Sequence, residues 1–183
     1  MVPDAQRLGG EYILETFSGR SNSLLLDEIA RLRVRVWRAT GFEMSPDFPA
    51  DSLHEALDGD SLHYAIMDCD AGLVAASRLT ICPSEDELPY PEWFRGLTER
   101  PKFPVAYIAR LVVDPGHQGK GLGYYLDTVC IQAAKDLRAS SVLCDIPDYR
   151  LDGLTRRGFR IVLPPTQGVV FPSVYFIGML LDL

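Results

Sequence analysis

This chain lacks most of the features that announce a metal centre, a membrane segment or a nucleic-acid partner. Its 4 cysteines, Cys69, Cys82, Cys130 and Cys144, show no C-x-x-C pair and no spacing to a histidine pair. Neither structural zinc nor disulfides are therefore expected, and reduced, buried thiols are the default, with Cys130 on an apolar helical stripe. No apolar run reaches the length that spans a bilayer, and MVPDAQRLGG has neither the basic region nor the apolar segment of a signal peptide. A cytoplasmic location is expected. Basic residues are outnumbered, 18 Lys and Arg against 25 Asp and Glu for a net charge of −7. That balance argues against nucleic acid or an anionic membrane surface as the main partner, and it suits an amine substrate that arrives as a cation. Internal repeats and low-complexity tracts are also absent.

What is present is enough for one globular domain over residues 1–183, since 47% of the residues are hydrophobic and a chain of this length buries a sizeable core. EYILETF at 11–17 reads as a first strand. Ser21-Asn22-Ser23 offers caps for a helix to about Thr40, with Gly41 as its stop. Leu25, Ile29, Leu32 and Val36 form its apolar stripe, and Arg31, Arg35 and Arg38 a second stripe. Residues 42–60 read as a loop with at most one short helix. SLHYAIMD and GLVAASRLTI read as a hairpin around Cys69-Asp70-Ala71-Gly72. The proline-rich connection 83–104 has the length of a binding lid. Further strands are expected at 105–113, 141–146, 159–163 and 174–181, with a helix from Tyr149 to Arg157 ending at Gly158.

Val105 to Leu137 is the most informative stretch. VAYIARLVV is a dense apolar strand, and Asp114-Pro115-Gly116 stops it. From Gly121 the apolar residues Leu122, Tyr125, Leu126, Val129, Cys130, Ala133, Ala134 and Leu137 fall on one face of a helix. QGKGLG thus lies at a helix N-terminus, where the first backbone N–H groups have no intrahelical partner. Gly119, Gly121 and Gly123 lack the side chains that would hold a phosphate away, and Lys120 adds positive charge. A pyrophosphate fits there. The P-loop pattern is excluded because Gly121 follows Gly119-Lys120 where Ser or Thr is required. The dinucleotide pattern G-x-G-x-x-G fails as well, because Tyr124 and Leu126 stand at the third glycine position.

Gln118-Gly119-Lys120-Gly121-Leu122-Gly123 resembles the (Q/R)-x-x-G-x-(G/A) signature of the GNAT superfamily of acyl-coenzyme A N-acyltransferases. LVVDPGHQGKGLG is similar to that family's strand-loop-helix core. The resemblance implies an α/β (α+β) GNAT fold with a central mixed sheet of six to seven strands flanked by helices, splayed at the cofactor site. It also implies an acyl-coenzyme A, acetyl-CoA in the simplest case, whose pyrophosphate lies on the amides of Gln118, Gly119, Lys120, Gly121, Leu122 and Gly123. Its pantetheine would follow the backbone at Leu111, Val112 and Val113. The acceptor implied is the amine of a small molecule or peptide, attacked directly in a ternary complex by a monomeric or homodimeric enzyme.

Amide formation from a thioester needs a base for the amine proton and an acid for the departing thiolate. Many members of the family use a glutamate on the central strand and a tyrosine four residues before a late glycine. Here the central strand has Tyr107 and Arg110 and no glutamate, and Leu154 holds the tyrosine position. Tyr107 either projects into the cleft as acid or wall, or belongs to the core. Tyr149 either acts as the thiol acid or packs at the protein edge. Asp145 either binds or deprotonates an amine, or caps a turn. A narrower resemblance links RLRVRVW at 31–37, Ser77-Arg78-Leu79 and YIARL at 107–111 to the acyl-homoserine lactone and N-acyl amino acid synthase branch. It implies substrate contacts for Arg78 and Arg110, and a longer acyl chain from acyl-CoA or acyl carrier protein. His63 is a further candidate contact, or a satisfied structural histidine. His117 is either near a phosphate or solvated. If Arg110 is buried, it needs an acidic partner or a ligand carboxylate. A silent coenzyme A binding regulator, without turnover, is the alternative from outside enzymology.

Overall fold

The computed structural model describes residues 6–8, 11–168 and 171–183. In chain order it contains β1 (Gln6–Leu8), β2 (Tyr12–Ser18), α1 (Ser23–Ala39), β3 (Leu62–Asp68), β4 (Gly72–Cys82) and α2 (Pro91–Phe94). It continues with β5 (Val105–Val113), α3 (Leu122–Asp136), β6 (Ser141–Pro147), α4 (Leu151–Thr155), β7 (Arg160–Gln167) and β8 (Tyr175–Asp182). The hydrogen-bonded strand order is β1-β2-β3-β4-β5-β6-β8-β7. The sheet is mixed, since β5 and β6 run parallel while β2–β3, β3–β4 and β6–β8 are antiparallel. Seven of these strands are those the sequence pattern marks. The short β1, which pairs with β2, is an addition.

The chain divides into two compact units, the first made of residues 1–41, 49–80 and 110–130. In it α1 forms where expected. Asn22 accepts a hydrogen bond from the Leu25 amide at 3.1 Å, satisfying one of the free donors of the first turn, and the helix stops before Gly41 at φ 72°. Its stripe of Leu25, Ile29, Leu32 and Val36 packs on Phe17, Ala65, Leu73, Ala76 and Val112. Burying each large aliphatic side chain contributes about 1.5–3 kcal/mol before the entropy of ordering it. Cys69 departs from the expected buried thiols: it lies in the polar β3–β4 turn and is exposed, whereas the other three cysteines are buried. Gly19 marks a close backbone approach. A Cβ built there would come within 1.8 Å of the Asp58 carbonyl oxygen. Gly19→Ala is expected to lower stability by about 1–3 kcal/mol through forced backbone displacement, read as a drop in thermal midpoint. An unchanged midpoint would refute that contact.

The second unit holds residues 42–48, 81–109 and 131–183. Its core gathers Phe94, Val105, Tyr107, Leu143, Val162 and Leu180. β7 runs on through Pro164 and Pro165, beyond the expected end at Leu163, with register shifts beside both. Prolines lack the ladder donor, and they are tolerated because β7 is last in the strand order. The expected helix from Tyr149 shortens to a 3-10 turn at Asp148–Arg150 followed by the five residues of α4. Leu154 is its one buried side chain, and Gly153 in its middle has no side chain to bury, so little favours a longer helix.

Candidate functional site

The loop after β5 is held by its own side chains and by Arg35 of α1. Asp114 accepts from the Gly116 amide at 3.0 Å and from Arg35 at 3.2 Å. Gln118 folds back to donate its side-chain amide to the Val113 carbonyl at 3.2 Å. Gly119 and Gly121 adopt φ of 77° and 82°, and no atom lies within 4 Å of a Cβ built at either. The left-handed backbone that these residues need is one that side chains resist. The first hydrogen bond entering α3 runs from the Tyr125 amide to the Gly121 carbonyl at 2.9 Å. The Leu122 and Gly123 amides therefore precede the helical ladder, and the first turn contains no acidic residue. Open space over two glycines, amides ahead of the ladder and a positive helix end fit a diphosphate. Leu122 is buried and anchors the helix, while a Cβ at Gly123 would sit 3.6 Å from Leu111 and 3.8 Å from Val113. Lys120 is exposed, its ammonium 6.0 Å from the Tyr12 ring centroid. His117 is not solvated: its Nε2 lies 3.4 Å from Asp68.

Upstream in the same unit, β5 contains a backbone outlier, Arg110 at φ 59°. Its guanidinium makes a two-pronged pair with Glu55, the Nε bond measuring 2.6 Å, and lies 5.7 Å from the Trp37 ring centroid. Glu55 also accepts from Arg78 at 2.8 Å. Arg78 donates to Asp58 at 2.9 Å, and Arg33 grips the same carboxylate at 2.8 and 2.9 Å. Burial disfavours the charged form of Asp58, but Arg33 and then Arg78 outweigh it and hold the carboxyl below its ordinary range. Burial likewise pushes the Arg33 guanidinium and the His63 imidazole down. His63 is fixed by the Asp58 backbone carbonyl, 2.8 Å from its Nε2.

The expected substrate contacts at Arg78 and His63 are corrected by this arrangement. Both are inside the protein, at 1% and 0% exposure, because they sit opposite each other on β3 and β4 beneath the turn that supplies Asp58. Arg110 keeps 11% of its side-chain surface and Glu55 keeps 17%. Glu55 and Asp58 were missed from the sequence. The signal available was the run of acids in residues 42–60 facing a strand arginine that needed a partner.

In the second unit, Tyr107 is 1% exposed and donates its hydroxyl to Oδ1 of Asp145. Phe94 stands edge-on to the Tyr107 ring, with centroids 5.7 Å apart at 84°. The β5–β6 ladder ends at the Ile108–Cys144 rung, although each strand continues. Tyr149 is 71% exposed, and Leu154 is buried at 3% as core.

The sequence profile of the acetyltransferase (GNAT) family matches residues 27–159. The chain belongs to that family. Among solved structures, FeeM, an N-acyl amino acid synthase from uncultured soil microbes, superposes with a TM-score of 0.70 at 13% identity over 93% of this chain and 90% of that one. An acyl-CoA N-acyltransferase from Pseudomonas aeruginosa gives 0.65 at 22% identity, covering 91% of this chain and 97% of its own. BjaI, a CoA-dependent acyl-homoserine lactone synthase, gives 0.68 at 16% identity over 93% and 83%. These likenesses establish a shared fold. No curated protein matches this GNAT sequence. Among the described residues no helix is long and apolar enough to cross a membrane.

Proposed function

We propose that this GNAT chain, acting over residues 1–183 as one acyltransferase domain, transfers an acyl group, acetyl in the simplest case, from acyl-CoA to a primary amine. The amine belongs to a small molecule or peptide and attacks directly in a ternary complex. The observation that supports the donor is the open amide cradle at Gly119–Gly123 with its two left-handed glycines. When bound, acyl-CoA supplies the activated thioester. Of the expected amides of residues 118 to 123, those of Gly119 to Gly123 are offered to its diphosphate, since the Gln118 amide already donates to the Pro115 carbonyl at 3.5 Å, and Lys120 adds charge at the rim. Leu111 and Val112 offer backbone groups to the pantetheine, whereas the Val113 carbonyl is already held by Gln118. Arg110 and Glu55, the members of the ion network that keep exposed surface, are offered to the acceptor.

A longer acyl donor, from acyl-CoA or acyl carrier protein, is the second reading. Its support is the fold likeness to FeeM and BjaI together with the Trp37–Arg110 pair on α1 and β5. The deciding experiment titrates the purified chain with coenzyme A by calorimetry. It then offers acetyl-CoA, decanoyl-CoA and decanoyl carrier protein with a panel of amines and follows free thiol. Acetyl turnover supports the first reading, and decanoyl turnover alone the second. Binding without any turnover leaves a coenzyme A sensor, and no binding overturns all three.

A further inference from the structure

Resting on the donor reading above, we propose that Tyr124 is a specificity residue of the cofactor site. Its exposed ring stacks on the adenine of coenzyme A, and so favours coenzyme A over a donor carried on phosphopantetheine alone. Tyr124 lies in the first turn of α3, directly after Gly123. It stands off the buried stripe of Leu122, Leu126 and Cys130 and is 67% exposed. On that open face its neighbours one turn away are Lys120 and Gly121 before it and Thr128 after it, all exposed. A helical side chain leans back toward the helix N-terminus, so the surface that Tyr124 covers is that of the preceding turn, the glycine loop. No atom lies within 4 Å of a Cβ built at Gly121, which leaves the loop surface there open. The Thr128 hydroxyl donates to the Tyr124 carbonyl at 2.9 Å and holds the turn that carries the ring.

Stability alone favours another residue at this position. The ring gains little burial, tyrosine is a weaker helix former than glutamate or glutamine, and the start of a helix gains most from an acid, of which this first turn has none. An acid would repel a diphosphate, whereas a flat, uncharged ring does not. Coenzyme A carries adenine beyond its diphosphate. Its pantetheine end is assigned to β5, which leaves the nucleotide to the solvent side of the loop, where Lys120 and Tyr124 are exposed. A purine stacks on a tyrosine face without needing a fixed hydrogen-bond register. Phosphopantetheine on a carrier protein has no base to stack. The ring therefore discriminates between classes of donor rather than between acyl chains.

The test titrates the full chain and the variants Tyr124→Phe and Tyr124→Ala by calorimetry with coenzyme A and with phosphopantetheine, using circular dichroism to verify the fold. Tyr124→Ala should bind coenzyme A about 10-fold or more weakly, the size of a lost base–aromatic stack, while Tyr124→Phe, which keeps the ring, should stay within about threefold of wild type. Phosphopantetheine affinity should be the same in all three proteins. In proton spectra the adenine ring protons of bound coenzyme A should move upfield with the wild type and the phenylalanine variant, but not with the alanine variant. The stack is overturned by an alanine variant that binds coenzyme A as the wild type does, by a phenylalanine variant as weak as the alanine one, or by an equal loss of phosphopantetheine affinity. In each of those cases coenzyme A binding by the wild type leaves the donor reading standing. A wild-type chain that does not bind coenzyme A overturns both.

Discussion

Asp58→Ala is expected to destabilise the first unit by about 3–5 kcal/mol, since removing one partner of a buried ion pair leaves the other charge uncompensated. Here two charges are stranded. The carboxylate holds Arg33 through both oxygens and Arg78 through one, with Arg33 0% and Arg78 1% exposed. It also accepts from the Glu55 amide at 2.9 Å, so the turn at Ala56–Asp58 loosens with it. A loss of this size is a large fraction of the roughly 5–15 kcal/mol that keeps a domain folded. Urea unfolding should show either a much lower midpoint or no folded baseline. Asp58→Asn should cost less, because an amide still satisfies some of the donors. An alanine variant within 1 kcal/mol of wild type (about that margin being the error of extrapolation) would sink the argument.

The same network sets the response to acid. Asp58 is held below its ordinary 3.8, so its contribution is complete above that pH and is lost as the pH falls through the folded value. His63 is held below its ordinary 6.5, with burial the leading cause and Arg33 and Arg78 adding to it. The unfolded chain then takes up a proton that the folded chain refuses. Stability therefore begins to fall below pH 6.5, well before the carboxylate contributes. The wild-type thermal midpoint should drop between about pH 7 and about pH 5, and His63→Gln should flatten that part of the curve.

Gly121→Glu is expected to weaken coenzyme A binding by about 100-fold or more, through a carboxylate set where the helix end favours an anion. The position has φ 82° and open space around a built Cβ, so the new side chain meets no wall and the fold survives with modest strain. Gly121→Ala separates the two effects. It shares the strained backbone but adds no charge, and its affinity should fall only severalfold. Calorimetry measures both, with circular dichroism to verify the fold. A glutamate variant that binds coenzyme A like the wild type would place the diphosphate elsewhere.

Much of this was legible along the chain. α1 was framed by Asn22 and Gly41 and by the spacing of Leu25, Ile29, Leu32 and Val36, because caps and helical period are local. The hairpin at Cys69-Asp70-Ala71-Gly72 was readable for the same reason. β7 was harder, since Pro164 and Pro165 argue against a strand until its place at the end of the sheet is known. Arg78 was read as a substrate contact because an isolated charge on a strand looks available, and only its neighbours show that it is enclosed, while His63 takes the structural alternative.

By itself the sequence determined the local backbone of the glycine loop: a strand, a turn and glycines within six residues of one another set its left-handed path at Gly119 and Gly121. Only the tertiary structure decided the side chains around it. It joined Arg110 to Glu55, 55 residues earlier, and Tyr107 to Asp145, 38 residues later. Backbone geometry propagates over a few residues and is written in local residue types, whereas a side-chain hydrogen bond across tens of residues depends on strand register and loop path, which the whole fold sets.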